Sequence, residues 1–130
     1  MIVVYIEDNE TNVELMRRIL SAGGHELHHF SNGLVAIEKM VDMKVDLVFM
    51  DIQLNGSISG LEVTRRLRAL GYTVPIIALT AYAMVGDRER CIEAGCDDYL
   101  SKPISIPLIL SLLDKYQPQI TSVKDNGEWI

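Results

Sequence analysis

Five side chains suited to handling phosphate lie at the ends of short apolar runs in this sequence. Asp51 closes the run 46–51, Asp46-Leu47-Val48-Phe49-Met50-Asp51. Glu7 and Asp8 follow 2–6, Ile-Val-Val-Tyr-Ile. Thr80 follows 74–79, and Lys102 stands just past 97–100. Carboxylates brought close together repel, so they raise a pKa or bind a cation. Hard oxygen ligands with open positions suit Mg²⁺, which keeps waters or a substrate phosphate in its shell. A lysine pairs with a phosphate oxygen and a threonine hydroxyl donates to another, which is the positioning that phosphoryl transfer needs. A carboxylate can itself be the nucleophile and form an acyl phosphate. Taken alone, Asp51 reads more simply as a helix N-cap. The weight comes from finding all five together.

That requires a fold which gathers the run ends. An unbroken apolar run between helical patterns reads as a buried strand of a parallel sheet. Strand one is 2–6. Asn9 caps a helix carrying Val13, Leu15, Met16, Ile19 and Leu20, stopped by Gly23-Gly24. A half-exposed strand over 25–30 and an Asn32-Gly33 turn lead to a helix marked by Leu34, Ile37, Met40 and Val41. After strand three, a polar loop precedes a helix with Leu61, Val63, Leu67 and Leu70. Strand four is 74–79. A fourth helix over 84–94 buries Cys91, Ile92 and Ala94, strand five is 97–100, and a last helix over 105–116 buries Leu108, Ile109, Leu112 and Leu113.

Strict alternation of five strands and five helices predicts an α/β fold, a doubly wound parallel sheet. The order 2-1-3-4-5 suits five strands, and ligands then gather beyond the strands' carboxyl ends. Neighbouring strands are ~4.8 Å apart. Glu7, Asp8 and Asp51 therefore crowd one edge, Thr80 lies beside them, and Lys102 lies at the far side. From Gln117 the periodicity fails, so 1–116 is read as the domain and 117–130 as a tail, with Trp129 the one residue in it suited to docking.

The chain has 130 residues, 48% hydrophobic and 23% charged, enough for one domain and its core. No run approaches the ~20 apolar residues of a membrane span, and no basic leader precedes strand one. A net charge of −6 argues against nucleic acid as a partner. Cys91 and Cys96 lack metal-type spacing and read as free thiols of a cytoplasmic protein.

With these residues in view, the chain resembles the response-regulator receiver domains of two-component signalling across 1–116, with the flavodoxin-like fold they share. The likeness is carried by the strand before Glu7-Asp8, by Met50-Asp51, by Leu79-Thr80-Ala81 and by Tyr99-Leu100-Ser101-Lys102-Pro103. The resemblance implies that Asp51 is the phosphoacceptor and that Mg²⁺ (or Mn²⁺) is held by Asp8, Asp51, the Gln53 carbonyl and, through water, Glu7. It implies that Lys102 and Thr80 hold the phosphoryl group. Thr80 and Tyr99 then act as the switch that changes helix four, strand five and helix five. Ala81 leaves the site open, Tyr82 follows it as a further site residue, and the bond to Pro103 is expected cis. The stretch Glu7-Asp8-Asn9-Glu10-Thr11-Asn12 is similar to phosphorelay and hybrid-kinase receivers. The implied donor is a histidine kinase or histidine-containing phosphotransfer protein docking near helix one, and a homodimer through helix four, strand five and helix five is a further implied partner. The loop 53–60 departs from the family pattern. It is one residue longer and has Asn55 where a proline is usual.

The implied function is a phosphorylation-driven binding switch, not an enzyme beyond its own phosphorylation and dephosphorylation. An unphosphorylated scaffold is the main alternative. A phospho-aspartate phosphatase would want an acid where Gln53 stands, and a flavin carrier would want no acid at Glu7-Asp8. His25-Glu26-Leu27-His28-His29 has the letters of a zinc-protease motif, but on a strand its outer histidines would be ~13 Å apart. Asp87-Arg88-Glu89-Arg90 reads as a solvated helix face.

Overall fold

Apolar runs flanked by amphipathic segments can bury both faces only as inner strands of a covered sheet, and the chain does this. A computed structural model describes residues 1–56, 58–81 and 85–117. Its elements are β1 (Ile2–Ile6), α1 (Glu10–Ala22), β2 (Glu26–Phe30), α2 (Gly33–Met40), β3 (Leu47–Asp51), α3 (Gly60–Ala69), β4 (Ile76–Thr80), α4 (Asp87–Ala94), β5 (Asp98–Ser101) and α5 (Ile106–Tyr116). All strand pairs are parallel, in the order β2-β1-β3-β4-β5.

Alternate residues of each strand feed two cores. Val3, Tyr5, Leu47, Phe49, Ile77 and Leu79 pack against α1 and α5. Val4, Ile6, Val48, Met50, Ile76 and Ala78 pack against α2, α3 and α4. The order reverses between β1 and β3, so the loops that follow those two strands diverge and leave a crevice between them.

The helix starts are set by short polar side chains that take the first free N–H groups. Asn9 accepts from Asn12 N, Asn32 from Leu34 N and Val35 N, and Ser59 from Glu62 N. Gly60, in the first turn of α3, is required by close approach. A Cβ there would lie 2.1 Å from the Asp51 carbonyl oxygen, so the absent side chain lets α3 start directly behind the strand that ends in Asp51.

Several element bounds differ from the sequence reading, each for a local reason. Asp46 precedes β3 because its carboxylate accepts from Ile2 N at 2.7 Å. β4 starts at Ile76 and includes Thr80. Asp97 precedes β5, its carboxylate taken by Ile76 N and Arg68. α4 starts at Asp87 behind Gly86, whose φ is +90°; residue 84 lies outside the described residues. Leu34, Val41, Leu70, Ile92 and Leu108 fall at core spacing in the sequence but are exposed. On α5 the sheet face belongs to Ile109 and Leu113, one turn apart, and Leu108 is rotated about 100° away. The charged run of α4 is not wholly solvated either: Asp87 is buried and ion-paired to Arg90.

Candidate functional site

The carboxyl ends of β1, β3, β4 and β5 gather the residues singled out above. β1 delivers Glu7, which is completely buried, and then Asp8. Glu7 Oε1 accepts from Tyr5 Oη at 2.8 Å, Asn12 Nδ2 at 3.2 Å and Lys102 Nζ at 2.7 Å. Its backbone is tied on the other side, where Glu7 N donates to Phe30 O at 3.0 Å. Asp8 turns outward, and its Oδ2 accepts from Asn55 N at 2.8 Å. The lengthened loop after β3 is thereby folded down onto β1.

β3 delivers Asp51, 2% exposed. Its Oδ1 accepts from Gln53 N at 3.0 Å, and its Oδ2 lies 3.4 Å from Lys102 Nζ. β4 delivers Thr80, whose hydroxyl accepts from Gln53 Nε2 at 2.6 Å. The other end of the same carboxamide, Gln53 Oε1, accepts from Ala81 N at 3.0 Å. β5 leads into Lys102, whose backbone N–H donates to Thr80 O at 2.6 Å, and the Lys102–Pro103 peptide bond is cis. Tyr99 on β5 pairs with Ala78 of β4 and is half-buried. Tyr82 lies outside the described residues.

Lys102 is not at the far side of the site. Its side chain crosses the end of the sheet and bridges Glu7 and Asp51. Burial, and the Glu7 carboxylate beside it, push the Asp51 carboxyl well above the usual carboxylate range. Burial also opposes ionisation of Glu7, but contact with the Asp51 carboxyl, Lys102 and Tyr5 outweighs it and holds Glu7 below that range. The pair therefore gives up its last proton less readily than two isolated carboxyls would.

One oxygen each from Glu7, Asp8 and Asp51 lies within 4.8 Å of the others. Three acids against one ammonium leave an excess of negative charge in a mostly dry place. Small, hard, all-oxygen donors of this kind fit Mg²⁺, which needs only one or two carboxylates and completes its shell with water or phosphate oxygens. The residues present can hold that ion.

The response regulator receiver domain family model matches residues 3–114. This chain belongs to the receiver domain family. The receiver is 44% identical over 117 residues to the polar-differentiation response regulator DivK of Brucella anthropi, covering 88% of this chain and 94% of that protein. DivK of Brucella ovis is 43% identical over the same shares. Among solved structures, the receiver domain of the sensor histidine kinase PA1611 of Pseudomonas aeruginosa PAO1 superposes with a TM-score of 0.80. It is 34% identical, with 88% of this chain and 95% of that one covered. That neighbour carries a magnesium ion coordinated in its active-site cleft. The doubly wound fold expected from the sequence is thus the fold of a known group of signalling proteins.

Three parts of the receiver's site escaped the sequence reading. The Gln53 side chain, the Tyr5 hydroxyl and the Asn12 amide all make hydrogen bonds within it. Tyr5 and Glu7 share a face of β1, a spacing that pointed to the contact, but Tyr5 reads first as an apolar strand residue. Gln53 and Thr80 are 27 positions apart and carry no sequence signal. The histidines of the discarded zinc motif do not converge. His25 Nδ1 meets the N-terminal ammonium at 2.9 Å, His28 pairs with Glu26, and His29 Nε2 meets the Glu7 carbonyl at 2.7 Å.

Proposed function

We propose that this receiver is a phosphoacceptor switch, phosphorylated on Asp51 with Mg²⁺ from a histidine kinase or a histidine-containing phosphotransfer protein. The observation that carries it is Lys102 Nζ held between Glu7 and Asp51 beside a three-carboxylate cluster. No structural cap or fold contact calls for that mixture at four strand ends.

An Asp51 oxygen attacks the phosphorus, the acyl phosphate O–P bond forms, and the P–N bond to the donor imidazole breaks. The leaving nitrogen keeps the electron pair, and a ring proton leaves the histidine neutral. Asp8, Asp51, the Gln53 carbonyl and, through water, Glu7 would hold the Mg²⁺, which would supply charge neutralisation for the phosphoryl oxygens. Lys102 moves from Glu7 to one of those oxygens. The Thr80 hydroxyl leaves Gln53 Nε2 to donate to another, and Ala81 N–H is released from Gln53 Oε1. Tyr99 follows Thr80, and the α4–β5–α5 face changes. Ile92 on α4 and Leu108 on α5 are exposed, apolar contacts suited to a protein partner or a second copy of the receiver. The acidic balance of the chain disfavours nucleic acid, and the unpaired thiols Cys91 and Cys96 suit the reducing cytoplasm. Apart from its own phosphorylation and dephosphorylation, the receiver catalyses nothing.

The test is transfer from a phosphorylated histidine kinase or phosphotransfer protein, with the modified peptide located by reduction with borohydride. Label on the peptide holding Asp51, absent from Asp51→Asn, is expected. Label that persists in Asp51→Asn would overturn the reading.

A further inference from the structure

Tyr5 on β1 and Glu7 just past its end stand two residues apart, and so on the same side of the sheet. Tyr5 is wholly buried, its ring edge-on to Phe49 with centroids 6.4 Å apart. Packing fixes the ring, and the fixed ring aims the hydroxyl at Glu7 Oε1. Three donors converge on that one oxygen: Tyr5 Oη at 2.8 Å, Asn12 Nδ2 at 3.2 Å and Lys102 Nζ at 2.7 Å. The other oxygen has the Asn9 N–H at 3.3 Å. A carboxylate oxygen offers about two lone-pair sites. Oε1 therefore has one donor more than it needs.

This surplus matters if Lys102 is to move. A buried carboxylate that loses its only donor bears the cost of an unpaired charge, which would hold the lysine in place. Glu7 loses Lys102 and still has two neutral donors on the same oxygen. We propose that Tyr5, assisted by Asn12, is a positioning residue of the site: its hydroxyl holds the Glu7 carboxylate facing the metal position and leaves Lys102 free to go to the phosphoryl group. The inference rests on the reading of this cluster as a Mg²⁺ and phosphoryl site, and it assigns that site a residue lying beneath the sheet edge.

Tyr5→Phe tests it, because the phenyl ring keeps its place against Phe49 and only the hydroxyl is lost. Mg²⁺ binding to the metal-free full chain is followed by titration calorimetry, beside wild type and Asp8→Asn. The expected result is Mg²⁺ affinity about 5-fold or more weaker in Tyr5→Phe, the scale of one lost hydrogen bond. Unchanged affinity in a folded Tyr5→Phe would overturn the proposal, since a packing role alone predicts no change. A wild-type chain that takes up no Mg²⁺ would instead sink the metal-site reading, and this inference with it. Should Tyr5→Phe fail to fold, wild type labelled with ¹³C at the tyrosine Cζ decides. The Tyr5 resonance is expected to move and saturate with Mg²⁺, and a resonance that stays fixed through saturation overturns the proposal.

Discussion

At the scale of single residues, the site is costly to keep in its metal-free form. Asp51 is buried beside Glu7, and its carboxyl is held above the ordinary range, so the native state resists its ionisation. The sign follows. A carboxyl whose folded pKa is raised costs stability as pH rises from its unfolded value of ~3.9 towards the folded one, and the full cost persists above. Asp51→Asn removes the charge and keeps the shape. In chelator at pH 8, Asp51→Asn should be more stable than wild type by roughly 1–2 kcal/mol, with the difference shrinking at acid pH. Urea unfolding at several pH values checks this. A destabilised Asn variant at pH 8 would mean that Lys102 and Gln53 more than compensate the buried charge. Gln53 belongs to this scale too. One carboxamide engages both the Thr80 hydroxyl and the Ala81 N–H, the two groups proposed above to change partners on phosphorylation.

At the scale of elements, the carboxyl end of the sheet gathers the candidate site and the opposite end is fastened. Arg68 on α3 donates to the carbonyls of Gly95, Tyr72 and Val74 and to the Asp97 carboxylate, tying the approach to β4 to the approach to β5. β5 is in turn tied to α5. Asp98 accepts from Lys115 Nζ at 2.9 Å, Tyr116 Oη at 3.1 Å and Tyr99 N at 3.0 Å. Partial burial works against ionisation of Asp98, but those donors outweigh it and hold its carboxyl below the usual range. A lowered carboxyl contributes stability above its unfolded pKa and loses it as pH falls through the folded value. Asp98→Asn should therefore melt about 2 °C below wild type at pH 7, the scale of a partly exposed ion pair. The gap should close below about pH 4. Melting curves from pH 7 to pH 3 test this, and a gap independent of pH would show that the carboxylate charge is not what joins β5 to α5.

At the scale of the whole molecule, much of the arrangement was legible because its signals are local. Buried parallel strands are continuous apolar runs, Asn9, Asn32 and Ser59 are short-range caps, and glycines end helices. Strand order then placed Glu7, Asp8, Asp51 and Thr80 together. What stayed hidden depends on distant partners. Lys102 reaches across two strands to Glu7, which spacing along the chain does not encode. Asp87 looked solvated in a charged run, yet α4 turns it inward beside Arg90. Leu70, Ile92 and Leu108 looked like core because composition does not say how far the sheet extends under each helix. Nor does Asn55, standing where a proline is usual, announce in sequence that its N–H will bond the Asp8 carboxylate.

The gathered side chains are proposed above to make Asp51 a phosphoacceptor. The most direct measurement is intact mass after incubation with acetyl phosphate, with and without Mg²⁺, for wild type and Asp51→Asn. The expected result is a gain of one phosphoryl group, about 80 Da, that requires Mg²⁺ and is absent from the variant. A gain of the same size in Asp51→Asn, or one indifferent to Mg²⁺ and chelator, would contradict it.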